Sequence, residues 1–117
     1  MSNRGWIGVD LDGTLAHYEG WLGIDHIGDP IPKMAERVHA WVAEGWEVRI
    51  FTARVSNKRE EVEVTRTIKR WLKKHGLPEL EVTNVKDYAM VALWDDRAVQ
   101  VIENTGLSVH EYHGIEQ

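Results

Sequence analysis

The chain contains no cysteine. Disulfides, thiolate zinc sites and cysteine nucleophiles are thereby excluded, and the usage fits a reducing compartment. Proline is scarce, three in 117 residues, and phenylalanine occurs once. No apolar run approaches the ~18 residues that would cross a bilayer. The opening residues Met1-Ser2-Asn3-Arg4-Gly5-Trp6 lack the apolar stretch of a secretory leader. Positive charge is in deficit, with 14 Lys and Arg against 19 Asp and Glu for a net −5. A globally basic nucleic-acid or membrane binder is not expected from that balance. The expectation is a cytoplasmic protein with no membrane partner.

What is present reads as one globular domain over residues 1–117. The chain is 43% hydrophobic and 28% charged, ordinary values for such a fold. Its six tryptophans fall mostly in periodic apolar segments, where core packing explains them. Short apolar runs alternate with helical periodicity. Trp6–Val9 is a buried-strand candidate ending at Asp10. Met34, Val38, Trp41 and Val42 share one helix face, opened by Pro32 and closed by Gly45. Trp46–Phe51 is a second strand, ending at Thr52. Asn57 and Glu60 have capping-box spacing before a helix carrying Val64, Ile68, Trp71, Leu72 and His75, stopped by Gly76 and Pro78. Leu80–Asn84 is a weak strand and Met90–Trp94 a strong one, ending at Asp95-Asp96. Residues 97–105 suit a short helix and Leu107–Tyr112 a last strand. Strand and helix alternation predicts a three-layer α/β/α, Rossmann-like domain with a mainly parallel sheet of about five strands.

Ligands of such sheets bind beyond the carboxyl ends of the strands. Asp10, Thr52 and Asp95-Asp96 all stand at such ends. Asp10 and Asp12, two apart on an extended segment, point to one side, and Gly13 lets the chain turn away. An Asp-Gly turn explains one pair of these residues, and a helix cap explains one of Asp95 and Asp96. Neither explains four carboxylates at one sheet edge. Their repulsion favours a cation, and oxygen ligands without Cys or clustered His suit Mg²⁺. Thr52 can donate to a phosphate oxygen, and Lys86 can place a compact positive charge there.

These residues resemble motifs of the haloacid dehalogenase superfamily of phosphotransferases. Asp10-Leu11-Asp12-Gly13-Thr14-Leu15 is similar to its first motif, Ile50-Phe51-Thr52-Ala53-Arg54 to its second, Lys86 to its third and Asp95-Asp96-Arg97 to a paired-acid fourth. They stand in family order across residues 6–97. The resemblance implies Asp10 as nucleophile and Asp12 as general acid and then base. It implies that Thr52 and Lys86 hold the transferring phosphoryl group. It assigns Mg²⁺ to Asp10, the Asp12 carbonyl and one or both of Asp95 and Asp96. Thr14, Arg54 and Arg97, in or beside the motifs, are the substrate-contact candidates. The second aspartate of the first motif favours phosphoryl transfer over dehalogenation.

The interval 16–31 is too short for a separately folded cap, which needs on the order of 40 residues. Its aromatics and glycines suggest a flap over an open, capless site, with room for a second subunit to cover it. Tyr18, Trp21, His17 and His26 are candidates for contact with a leaving group; alternatively, Trp21 and Ile27 staple the flap to the body. Residues 58–74 hold seven basic and three acidic side chains, which reads as a solvated helix face; alternatively, the net positive charge attracts a polyanion. His110 and His113 lack a third ligand nearby and are not read as a metal pair.

The expected function is a Mg²⁺-dependent phosphomonoester hydrolase acting through an aspartyl-phosphate on a phosphorylated small molecule or nucleotide. Asp95-Asp96-Arg97 with the following Ala98-Val99-Gln100-Val101-Ile102 also resembles the 3′-phosphatase domain of phage polynucleotide kinases, which would take a nucleic-acid end. A reading from another class is a receiver-like module that accepts phosphate on Asp without turnover. A receiver, however, carries its acceptor on a middle strand, and the second strand here ends in Thr52 without Asp.

Overall fold

The computed structural model of the chain describes residues 4–112; His113 lies outside them. Four strands, β1 (Trp6–Val9), β2 (Glu47–Phe51), β3 (Glu81–Thr83) and β4 (Met90–Trp94), form one sheet in the order β3-β2-β1-β4. All three pairings are parallel. Helix α1 (Pro32–Ala43) joins β1 to β2, helix α2 (Glu61–Lys74) joins β2 to β3, and a single turn of helix, α3 (Val109–Tyr112), follows β4. This is a parallel α/β domain of Rossmann-like order.

The expected helices form where apolar periodicity and terminators coincide. Pro32 opens α1, and Gly45 closes it at φ +92°, a value glycine adopts without strain. Gly76 at φ +72° follows α2. The capping box expected at Asn57 and Glu60 does not form. The Asn57 carboxamide accepts from the Arg59 N–H at 3.0 Å, making a local turn, and α2 begins only at Glu61.

Two expectations fail at the chain's end. Residues 97–105 are not a helix, and Leu107–Tyr112 is not a fifth strand. Val101 instead bridges Ser108, and α3 starts directly afterwards. The physical reason is a capping box at Ser108 and Glu111. The Ser108 N–H donates to Glu111 Oε1 at 2.8 Å, and the Glu111 N–H donates to Ser108 Oγ at 3.0 Å. That reciprocal pair favours a helical turn over a strand. With no fifth strand among the described residues, β4 is an edge, and its Val91 and Trp94 are exposed rather than buried.

The layering also differs from the expected three-layer arrangement. Ile7 and Val9 of β1 share a face with Val48 and Ile50 of β2, by register and strand alternation. Those four residues sit in one core with Met34 and Val38 of α1 and Val64, Ile68, Trp71 and Leu72 of α2. Both long helices therefore cover the same face. The chain steps twice in one direction, β1 to β2 to β3, and right-handed crossovers then place both helices on one side. The return from β3 to β4 has only residues 84–89, too few for a covering helix. It crosses the second face as a loop. There Trp6, wholly buried, donates its indole N–H to Asp87 at 2.8 Å, stacks on Phe51, and lies under the Arg49 guanidinium.

Candidate active site

The carboxyl ends of β1, β2 and β4 open into a cleft of 660 Å³. The Asp10 N–H donates to the Trp94 carbonyl at 2.9 Å, setting the first residue after β1 beside the end of β4. One carboxylate oxygen each from Asp10, Asp95 and Asp96 then lies within 4.8 Å of the others. The first acidic turn and the late aspartate pair, more than eighty residues apart, thus meet.

Thr14 and Gly13 make that meeting possible. The Thr14 hydroxyl accepts from the Asp96 N–H at 3.0 Å. Its own proton has two carboxylates in reach, Asp96 at 3.2 Å and Asp10 at 3.4 Å. Gly13 adopts φ +92°, and a Cβ there would stand 2.7 Å from Asp96 Oδ2. Only glycine allows both the turn and the approach of Asp96. On the other side, Asp95 Oδ1 accepts from the Arg97 N–H at 2.8 Å, closing the turn after β4.

The charge balance of the cluster is strained. The Asp10 carboxyl is pushed up to about 7, first by burial, then by its hydrogen bond with Asp96, then by the charges of Asp95, Asp96 and Asp12. A half-buried anion among anions is unfavourable unless a cation joins them. The donor set is all oxygen, which fits a hard divalent ion such as Mg²⁺. Asp10, Asp95 and Asp96 are the carboxylates that would hold it.

Asp12 has a different partner. Arg54 grips it as a fork, Nε to Oδ2 at 2.7 Å and an Nη to Oδ1 at 2.9 Å. The Arg54 side chain is only 6% exposed. It also donates to the backbone carbonyls of His26 at 2.9 Å and Ile24 at 3.5 Å, and it underlies the Trp21 ring at 4.8 Å. Arg54, expected at the substrate, thus ties the second motif to the first and to the flap. Thr52 closes β2, donating its N–H to Thr83 and accepting the Arg54 N–H on its hydroxyl at 3.1 Å. The hydroxyl keeps its own proton for an acceptor in the cleft.

Residues 16–31, the expected flap, are tied at both ends by backbone contacts. His17 N–H donates to Asp29, Ile31 N–H donates to Leu15, and Ala16 bridges Pro30. Ile24 and Ile27 pack on the core, and the Trp71 indole N–H of α2 donates to the Gly28 carbonyl at 2.9 Å. Ile27 therefore staples the flap as expected, whereas Trp21 does not: it is 54% exposed and lines the cleft with Tyr18. His17 and His26 are exposed and do not line it; His17 pairs with Glu19 at 3.3 Å.

Of the expected site residues, the cleft brings together Asp10, Asp12, Thr52, Arg54, Asp95, Asp96 and Arg97. Thr14 joins them through its hydrogen bonds. Lys86 is not among them; it is exposed on the loop over the second face and does not line the cleft. Asn57, Glu60 and Asn84 line it without having been singled out for the site. Asn84 directly follows the end of β3, which was the one available sequence signal; Asn57 comes only after the turn Ala53–Ser56 beyond β2.

No protein-family model matches the chain, and no curated protein matches it. Solved structures do. A conserved protein from Bacteroides thetaiotaomicron is 22% identical, with a TM-score of 0.62, over 98% of this chain and 93% of its own. A crystallised protein from Vibrio cholerae is 25% identical, with a TM-score of 0.57, over 94% of this chain and 95% of its own. Both likenesses speak to the fold.

Proposed function

We propose that this protein is a Mg²⁺-dependent phosphomonoester hydrolase of the haloacid dehalogenase-like kind. The observation that carries the reading is the convergence of Asp10, Asp95 and Asp96 at the carboxyl ends of β1 and β4, in a cleft shared with Asp12 and Thr52. Bound at those carboxylates, Mg²⁺ would offset their charge and that of a phosphoryl dianion.

The residues then divide the work. An Asp10 oxygen attacks phosphorus, forming the aspartyl-phosphate as the ester P–O bond breaks. Asp12 gives a proton to the departing oxygen. Water next attacks phosphorus while Asp12 takes its proton, and inorganic phosphate leaves with Asp10 restored. For this exchange Arg54 must yield at least one of its two bonds to Asp12. The Thr52 hydroxyl donates to a phosphoryl oxygen. Arg97 is the exposed cation at the cleft and supplies the positive charge that the sequence reading gave to Lys86.

Strand order supports this reading over a receiver-like module. A receiver orders its sheet 2-1-3-4-5, whereas β1 here lies between β2 and β4, and β3 is at the edge. The test is hydrolysis of p-nitrophenyl phosphate with Mg²⁺ and with chelator. Turnover should require the ion and fall by at least about 1,000-fold in Asp10→Asn. Equal activity in wild type and Asp10→Asn would reject the assignment.

A further inference from the structure

The flap residue Trp21 is unaccounted for by packing. Ile24 and Ile27 attach the flap to the core, and Trp71 ties its backbone to α2. The Trp21 ring is 54% exposed in the wall of the cleft. It is nevertheless held in place. One side rests on the Arg54 guanidinium at 4.8 Å, and Arg54 is itself fixed by the Asp12 fork and the His26 carbonyl. An indole backed on one side and open on the other is a stacking platform for a planar ring.

The rest of the cleft suits the same ligand. Its 660 Å³ far exceeds a phosphoryl group and lies in the range that holds a nucleoside-sized molecule. Asn57 and Asn84 line it. The Asn57 oxygen is already used by the Arg59 N–H, so its NH₂ group is left to donate. Asp12 and Trp21 contact the same guanidinium, so the ring stands in the same cleft as the acid that serves the leaving oxygen.

We infer that the leaving group carries a nucleobase that stacks on Trp21, so that the substrates are phosphomonoesters of nucleosides. This rests on the phosphatase reading and names its substrate class. The shared chemistry, a base one sugar away from a terminal phosphate, belongs both to free nucleoside monophosphates and to the phosphorylated ends of nucleic acids.

The test compares kcat/KM for adenosine 5′- and 3′-monophosphate, 5′- and 3′-phosphorylated oligonucleotides and ribose 5-phosphate, which lacks the base. The ratio of the best nucleotide substrate to ribose 5-phosphate should be about tenfold or more in wild type. It should fall toward unity in Trp21→Ala and persist in Trp21→Phe. Preference for an oligonucleotide end or for a mononucleotide identifies the source, and either outcome supports stacking. A wild-type ratio near unity, or a ratio untouched by Trp21→Ala, overturns the inference. If no substrate turns over, the phosphatase reading fails separately. The Trp21 indole resonance, assigned by its absence in Trp21→Phe, then decides: a shift with adenosine monophosphate but not with ribose 5-phosphate sustains the platform, and no shift with either overturns it.

Discussion

At the scale of single residues, the site concentrates opposing demands on Asp10. The folded, cation-free protein holds its carboxyl near 7, against 3.8 without the fold. Between those values the folded chain keeps a proton that the unfolded chain has lost. Stability therefore declines as pH rises from about 4 to about 7, and the loss persists above that. Melting temperatures in chelator should show a fall from pH 5 to pH 8 that shrinks in Asp10→Asn; equal falls in both proteins would remove burial of charge as the cause. Gly13→Ala forces a side chain into φ +92° and against Asp96. It should cost about 1 kcal/mol or more and weaken divalent-ion binding, both readable from calorimetry with and without Mg²⁺. The aspartates were legible in the sequence because they end short apolar runs that form strands. The Arg54 fork on Asp12 was not, since it joins side chains 42 positions apart through a pairing that no local pattern encodes.

At the scale of elements, the flap is the part whose order depends on a few polar ties. Arg54 holds it through the His26 and Ile24 carbonyls, and Trp71 holds it through Gly28. Trp71→Phe keeps an aromatic ring in the core but is smaller, and it leaves the Gly28 carbonyl without that donor, an expected combined loss of about 1–3 kcal/mol. Arg54→Ala should open the segment 18–26 further. Limited proteolysis followed by mass spectrometry should find new cuts there in both variants, with more in Arg54→Ala; cutting confined to the termini would show that the apolar anchors Ile24 and Ile27 suffice. Strands β1, β2 and β4 and both long helices were readable from periodicity and from Pro32, Gly45 and Gly76. The expected fifth strand failed because Ser108 and Glu111 carry an N-cap signal that outweighs the apolar alternation of the surrounding residues.

At the scale of the whole molecule, the two faces of the sheet are unequal. One is covered by α1 and α2 with a shared core; the other relies on Trp6, its stack on Phe51 and its bond to Asp87 in the 84–89 loop. Trp6→Ala should therefore cost about 3–5 kcal/mol in urea unfolding, with the 84–89 loop as its cover; a loss under about 1 kcal/mol would mean that the second face contributes little. This one-sided covering was not legible, because alternation of strands and helices states the crossovers but not the direction in which successive strands are added. The same topology puts β1 beside β4 and makes one acidic centre from two distant segments. Its most direct test is binding of a single divalent ion, with Mn²⁺ as a paramagnetic probe displaced by Mg²⁺. One ion per chain is expected in wild type, with binding lost or weakened by about 100-fold in Asp10→Asn. An ion bound equally well by wild type and Asp10→Asn, or none bound at millimolar concentration, would contradict a shared carboxylate centre at the ends of β1 and β4.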